Sequence, residues 1–295
     1  MQLVLHVRGT DFFGMEGRKS VKIEFLGTGA AEGIPALFCK CGLCEHARNA
    51  GGKDIRLRTG VIIDRRLLMD FSPDAFVQSV YRRIDYSGLQ ALLVTHTHSD
   101  HFAVDDLVLR STCNSRNRTV PVLKVLGSRT MCARLEDAVF DDDAAKSMSL
   151  TALTSGQTVQ VGDYRVTAWK TVHMETEDSL IYLISGNGKQ YLHAVDSAEL
   201  TEEVYDCLQR QHIHLDGVSL DCTFGLLEEE YYGHMNFRQN LKVRKRLEEI
   251  GTADERTRFF LMHISHFAGN THEELEKAAS QYGFEVAYDG MCVSL

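Results

Sequence analysis

The stretch "VTHTHSDHFAVDDL", residues 94–107, places three imidazoles and several carboxylates directly behind the apolar run "LQALLVT". Uncompensated burial of such groups is costly, so a fold that puts them at the mouth of a buried strand must give them a partner. His96 and His98 alternate across one residue, and in an extended chain both rings project from the same side. Asp100 and His101 follow, so His96, His98, Asp100 and His101 fall within six residues. A pair of divalent cations is the partner that this donor set suits.

One short motif cannot complete two coordination shells, since each first-row cation takes about four to six ligands. The remaining donors should terminate other apolar runs. His173 after "YRVTAWKTV", Asp196 after "KQYLHAV" and His263 after "RFFLM" meet that requirement. Asp70, closing "RLLMD", is either a residue that orients a ligand imidazole or an ordinary turn or cap residue.

A second donor cluster is "CKCGLC", which gives Cys39, Cys41 and Cys44 on a glycine-containing loop, one short of the tetrahedral set of a structural zinc. His266, three residues beyond His263, is the favoured fourth ligand. His272 is its rival, less favoured because it lies inside an expected helix that opens with Thr271 and Glu274 as a capping box. Cys113, Cys132, Cys207, Cys222 and Cys292 are scattered and read as small core residues.

Along the chain, "VKIEFLG" reads as a strand, "TGVIID" and "RLLMD" as a hairpin, and "SPDAFVQSVYRRI" as a helix with Ser72 as N-cap and Pro73 at its first position. Further on, "PVLKVLG" is a strand, "SRTMCARLEDAVF" a helix, and residues 150–195 a strand meander with a tight turn at Gly186-Asn187-Gly188. Helices follow at "TEEVYDCLQRQ", "NFRQNLKVRKRLEEIG" and "THEELEKAASQYG", separated by the short buried strands "GVSLDC" and "RFFLMHIS". Strand-rich halves interspersed with helices suggest an α/β protein of two packed sheets covered by helices, a four-layer αββα sandwich.

At 295 residues and 44% hydrophobic the chain can bury a full core. With three prolines and no linker-like stretch, residues 21–295 are expected to form a single domain behind an N-terminal extension of residues 1–20. The net charge of −9 argues against a surface built mainly for nucleic acid. No apolar run reaches the length of a membrane span and the first residues lack a signal-peptide pattern, so a cytoplasmic protein with a small partner is expected.

The ordered set "HTHSDH", His173, Asp196 and His263 resembles the ligand set of the metallo-β-lactamase superfamily, from about residue 21 to the C-terminus. The resemblance implies the αββα sandwich, one cation on His96, His98 and His173, the other on Asp100, His101 and His263, and Asp196 bridging both. Within the superfamily, "CKCGLC", "HISH", "SLDCTF" and "GHMNF" resemble the cyclic phosphodiesterases of the carbon-phosphorus lyase pathway, which act on phosphoribosyl 1,2-cyclic phosphate in phosphonate breakdown. That implies a structural zinc on Cys39, Cys41, Cys44 and His266, and two active-site cations, manganese or zinc. It also implies catalytic roles for His234 at phosphate and for Asp100 in orienting the nucleophile, and a homodimer.

Two alternatives share these residues. "DCTFGLLEEEYYGHMNF" also resembles ribonuclease Z, an RNA endonuclease, but that family usually has a basic, glycine-rich arm, and the acidic "EDAVFDDDAAK" occurs here instead. Similar cysteine loops occur in a pyrroloquinoline quinone biosynthesis protein, which leaves room for a non-hydrolytic, metal-binding member on the same scaffold.

Overall fold

The computed structural model describes residues 20–110, 120–139 and 142–295, so the extension expected over residues 1–20 lies, apart from Ser20, outside the described residues. Its first half runs β1 (Lys22–Gly27), α1 (Gly42–Ala50), β2 (Gly60–Ile63), β3 (Leu67–Met69), α2 (Ala75–Arg82), β4 (Ala91–Leu93), α3 (Val104–Leu107), β5 (Leu123–Gly127), α4 (Arg129–Ala138), α5 (Asp142–Ser147) and β6 (Met148–Ala152). The second half runs β7 (Thr158–Val161), β8 (Tyr164–Lys170), β9 (Leu180–Gly186), β10 (Lys189–Ala194), α6 (Glu202–Arg210), β11 (Gly217–Asp221), α7 (Phe237–Glu249), β12 (Arg258–Met262), α8 (His272–Ser280), β13 (Phe284–Val286) and β14 (Cys292–Ser294).

The strands form two seven-stranded sheets, ordered β14-β1-β2-β3-β4-β5-β6 and β13-β12-β11-β10-β9-β8-β7. Alternation along each strand sets the layers. Phe25, Ile63, Met69 and Leu93 from the first sheet meet Val166, Tyr182, Phe260 and Met262 from the second in one core. The opposite faces of the second sheet, Phe259, Leu261, Val218 and Leu192, pack on Val204, Leu208, Val243, Leu247 and Leu275 of α6, α7 and α8. Leu68, Leu92 and Val125 of the first sheet pack on Leu107, Met131 and Leu135 of α3 and α4. Each such fully buried side chain contributes on the order of 1.5–3 kcal/mol. The result is the α/β/β/α layering expected from the sequence.

The register then fixes where the site lies. Strands β10, β11 and β12 are parallel, with Ala194 opposite Leu220 and Asp221 opposite Met262, so their carboxyl ends align. Strands β3 and β4 are likewise parallel, with Met69 opposite Leu93. Residues at or just beyond these ends, among them Asp70, His96, Asp196, Asp221 and His263, gather at one edge of the sandwich, the usual place for ligands in parallel sheets.

Several local expectations are corrected. Helix α2 begins at Ala75, with Asp74 rather than Ser72 at its N-cap. The Asp74 side chain does not cap the helix; it holds Arg58, with Arg58 Nη2 2.6 Å from Oδ1. The "CKCGLC" segment is only partly a loop, because α1 starts at Gly42 and buries Leu43, Cys44 and Ala47. Cys132 and Cys222 are buried as expected, but Cys292 is exposed on the short edge strand β14, and Cys113 lies outside the described residues. The tight turn is the two-residue Asn187-Gly188, with φ of 52° and 76°, matching the twist of the β9–β10 hairpin.

Candidate metal centre

At the aligned strand ends, His96, His98, His173 and Asp196 present ligand atoms all within 4.8 Å of one another, and so do Asp100, His101, Asp196 and His263. Asp196 belongs to both groups. Its Oδ2 lies 3.2 Å from His96 Nε2, 3.0 Å from His101 Nε2, 3.4 Å from His173 Nε2 and 3.5 Å from His263 Nε2. Asp100 Oδ2 is 3.1 Å from His101 Nε2, and His98 Nδ1 is 2.9 Å from His96 Nε2.

The other nitrogen of each ring shows which way its lone pair points. His173 Nδ1 donates to the Gly233 carbonyl at 3.2 Å, and His101 Nδ1 to Asp70 Oδ2 at 2.7 Å. Thr95 Oγ1 donates to Asp70 at 3.0 Å and so accepts from His96 Nδ1 at 3.0 Å. Thr223 Oγ1 donates to Asp221 Oδ2 at 2.8 Å and accepts from His263 Nδ1 at 2.8 Å. Four rings with Nδ1–H turned outward present four Nε2 atoms to one carboxylate oxygen. Bound cations would take the Nε2 lone pairs in place of the protons that the neighbouring carboxylates favour on His101 and His263, and the mixed nitrogen and oxygen set suits zinc or manganese.

The backbone is bent to this purpose. Asp70, Asp196 and His263 adopt φ of 60°, 53° and 59°, the left-handed region that non-glycine residues enter at a cost of roughly 1–3 kcal/mol each. Gly233, at φ 78°, is required by close approach, because a Cβ there would lie 3.1 Å from His173 Nδ1. Glu177 anchors the histidine loop from below: it accepts from Thr97 N at 2.6 Å, Thr97 Oγ1 at 2.7 Å and Ser128 Oγ at 2.9 Å.

Charge follows geometry. Burial alone would raise the Asp196 carboxyl, but His263 and the hydrogen-bonded His101, His234 and His96 hold it well below the carboxylate range. Burial opposes the charge on His101 too, and Asp100 and Asp70 overcome it, lifting the ring well above its ordinary value. His173, whose burial dominates, is pushed down to about 4.

His234 stands at the rim, its side chain 23% exposed, with Nδ1 2.9 Å from Asp196 Oδ1 and 3.3 Å from Asp221 Oδ2. Burial pulls this imidazole down, but the bonds to Asp196 and Asp221 outweigh it and lift it to about 10. Its Nδ1 is committed to these carboxylates and its Nε2 is left for a ligand.

The second cluster also assembles: Cys39, Cys41, Cys44 and His266 present ligand atoms within 4.8 Å of one another. His266 Nδ1 lies 3.5 Å from Cys39 Sγ and 3.6 Å from Cys41 Sγ. The Cys44 amide at the start of α1 bonds the Cys41 sulfur and, with His266, lowers that thiol to about 6 against the effect of burial. His272 is placed elsewhere, with Nδ1 3.1 Å from the Arg56 guanidinium, and takes no part in the cluster.

Sequence reasoning missed Asp221, Thr223, Thr95 and Glu177. Asp221 ends the buried run "GVSLD", the same signal that singled out His263, whereas the threonines and Glu177 carry no signal apart from their contacts.

Residues 65–264 match the family model of the beta-lactamase superfamily domain. A curated relative, an octanoyltransferase of Porphyromonas gingivalis (strain ATCC BAA-308 / W83), is 25% identical over 263 residues, which are 85% of this chain; the chain spans about half, 47%, of that relative's length. Among solved structures, a diphosphatase from the PhnP family superposes with a TM-score of 0.70 at 19% identity, covering 94% of this chain and 97% of the other. Zinc-bound PqqB from Methylobacterium extorquens superposes with a TM-score of 0.71 at 20% identity, covering 93% and 100%. With its paired sheets, and with the matched segment spanning Asp70, the "HTHSDH" motif, His173, Asp196 and His263, this chain belongs to the beta-lactamase superfamily and has the metallo-β-lactamase fold.

Proposed function

We propose that the protein is a metal-dependent phosphodiesterase that opens a small cyclic phosphate ester, with phosphoribosyl 1,2-cyclic phosphate as the favoured substrate. His96, His98 and His173 would hold one divalent cation, Asp100, His101 and His263 the other, and Asp196 would bridge them, while Cys39, Cys41, Cys44 and His266 would hold a structural zinc. Two such cations supply Lewis acidity at phosphate oxygens and bring a bound water toward neutral pKa, about 7 in the single-zinc case.

The observation that carries the reading is His234. An imidazole at the rim, its Nδ1 held by Asp196 and Asp221, would donate from Nε2 to a phosphate oxygen or to the departing sugar oxygen. Asp100, 3.1 Å from His101 Nε2, would orient the attacking water. The loop leading to His234 carries the exposed Glu228, Glu229 and Glu230, and so many carboxylates beside the site disfavour a long polyanion and favour a small ester over RNA.

A substrate panel tests this, with the manganese- or zinc-loaded protein given ribose cyclic phosphates, bis-p-nitrophenyl phosphate, precursor transfer RNA and an octanoyl thioester. The last enters because the curated relative is an octanoyltransferase. The cyclic sugar phosphate should show the highest kcat/KM. Preferred cleavage of the RNA or the thioester would overturn the reading.

A further inference from the structure

Beside the metal centre, a cleft of about 550 Å³ opens between the segment 31–39 and the chain at 55–58, with Glu32, Phe38, Arg58, Asp74 and His266 among its walls. Five residues join the two sites. Asp70 holds His101 at 2.7 Å, Phe71 N donates to the His101 carbonyl at 2.7 Å, and Asp74 closes the same segment against Arg58. Gly29 bridges to both Arg58 and Ile264, the residue after His263, so the cleft and the centre adjoin.

Arg58 is built to point. Its backbone N, Nε and Nη2 all donate to Asp74, at 2.8, 3.0 and 2.6 Å, so the planar guanidinium has one orientation and its Nη1 edge is uncommitted to Asp74. The chain at Arg58 is pinned as well, because Gly27 packs so close that a Cβ there would lie 1.9 Å from the Arg58 carbonyl oxygen.

Behind it, the guanidinium of buried Arg56 bonds neutral acceptors: Thr28 Oγ1 at 2.8 Å, the Ala287 carbonyl at 2.7 Å and His272 Nδ1 at 3.1 Å. Asp74 offsets the Arg58 charge, and Asp289 and Asp54 act on Arg56 without a hydrogen bond to it, so what this end of the cleft offers an anion is the free Nη1 edge of Arg58. Glu32 lies at the other end, on Ser265 and 3.7 Å from His266 Nε2.

We infer that Arg58 is a specificity-determining residue: it receives a second anionic group of the substrate, a phosphate or carboxylate distinct from the reacting diester. A fixed guanidinium edge beside a diester site selects small substrates charged at both ends. This rests on the phosphodiesterase reading for the identity of the reacting group, but not for the cleft.

The test compares ribose 1,2-cyclic phosphate with and without a 5-phosphate, on wild type, Arg58→Ala and Arg58→Lys. Wild type should prefer the doubly charged substrate at least tenfold in kcat/KM. Arg58→Ala should erase that preference chiefly through KM, and Arg58→Lys should restore part of it. Equal losses on both substrates, or no preference in wild type, would overturn the inference.

Binding separates this from the reaction itself. With the cations loaded, ribose 1,5-bisphosphate should bind wild type at least tenfold more tightly than ribose 1-phosphate, and Arg58→Ala should remove the difference. If no diester is cleaved but this difference appears, the phosphodiesterase reading falls and the role of Arg58 stands. If it is absent, the role of Arg58 falls whatever the enzyme cleaves.

Discussion

His234 concentrates the chemistry into one side chain. Its Nδ1 is committed to Asp196 and Asp221, so removing the ring takes away a proton donor but none of the seven residues proposed to hold cations. His234→Ala should therefore keep wild-type cation content by elemental analysis and lose about 10²–10⁴-fold in turnover, the usual worth of a positioned general acid. Loss of a cation together with activity would instead make His234 a ligand. At this scale the sequence was most legible where a polar residue ends an apolar run. His173, Asp196 and His263 were each found that way, and the structure brings them to the "HTHSDH" segment. The supports were not legible, because the Thr95–Asp70 and Thr223–Asp221 relays depend on distances across strands that no local spacing encodes.

Among the elements, α1 and the segment 263–266 are the pair that matters. Cys41 stands at the N-cap of α1 and Cys44 in its first turn, while His266 follows His263 by three residues, so the thiol cluster ties an N-terminal helix to the rim of the metal centre. Cys41→Ser should release one zinc equivalent and lower the melting temperature while His96, His98, His101 and their partners keep their cations. An unchanged zinc count would refute the thiolate assignment. The sequence showed the cysteines but not the helix, since a glycine amid cysteines reads as a loop until Leu43 and Ala47 find a core to bury against. Strands β13 and β14 escaped for a similar reason. Three residues each are too short for alternation to register, and pairing with β12 and β1 is what makes them strands.

Across the whole molecule, the C-terminus closes the sandwich through Asp289. Its carboxylate accepts from Thr28 N at 2.9 Å, Thr28 Oγ1 at 2.8 Å and Leu57 N at 2.6 Å, and burial lifts its pKa to about 6 despite those bonds. A carboxyl raised in the folded state stabilises fully below its unfolded pKa and loses that contribution as pH rises through the folded value. The stability of wild type relative to Asp289→Asn should thus decline by about 2 kcal/mol between pH 4 and pH 7 in urea titrations. A pH-independent difference would contradict it. The layering itself was legible from strand-rich halves interleaved with helices, whereas the strand order was not, because it rests on parallel pairings between distant segments.

The most direct measurement is anomalous diffraction from crystals soaked in manganese or zinc. Two peaks about 3.5–4 Å apart are expected on either side of Asp196 Oδ2, and with zinc a third among Cys39, Cys41, Cys44 and His266. No peak among the histidines, or a single peak that Asp196 does not touch, would contradict it.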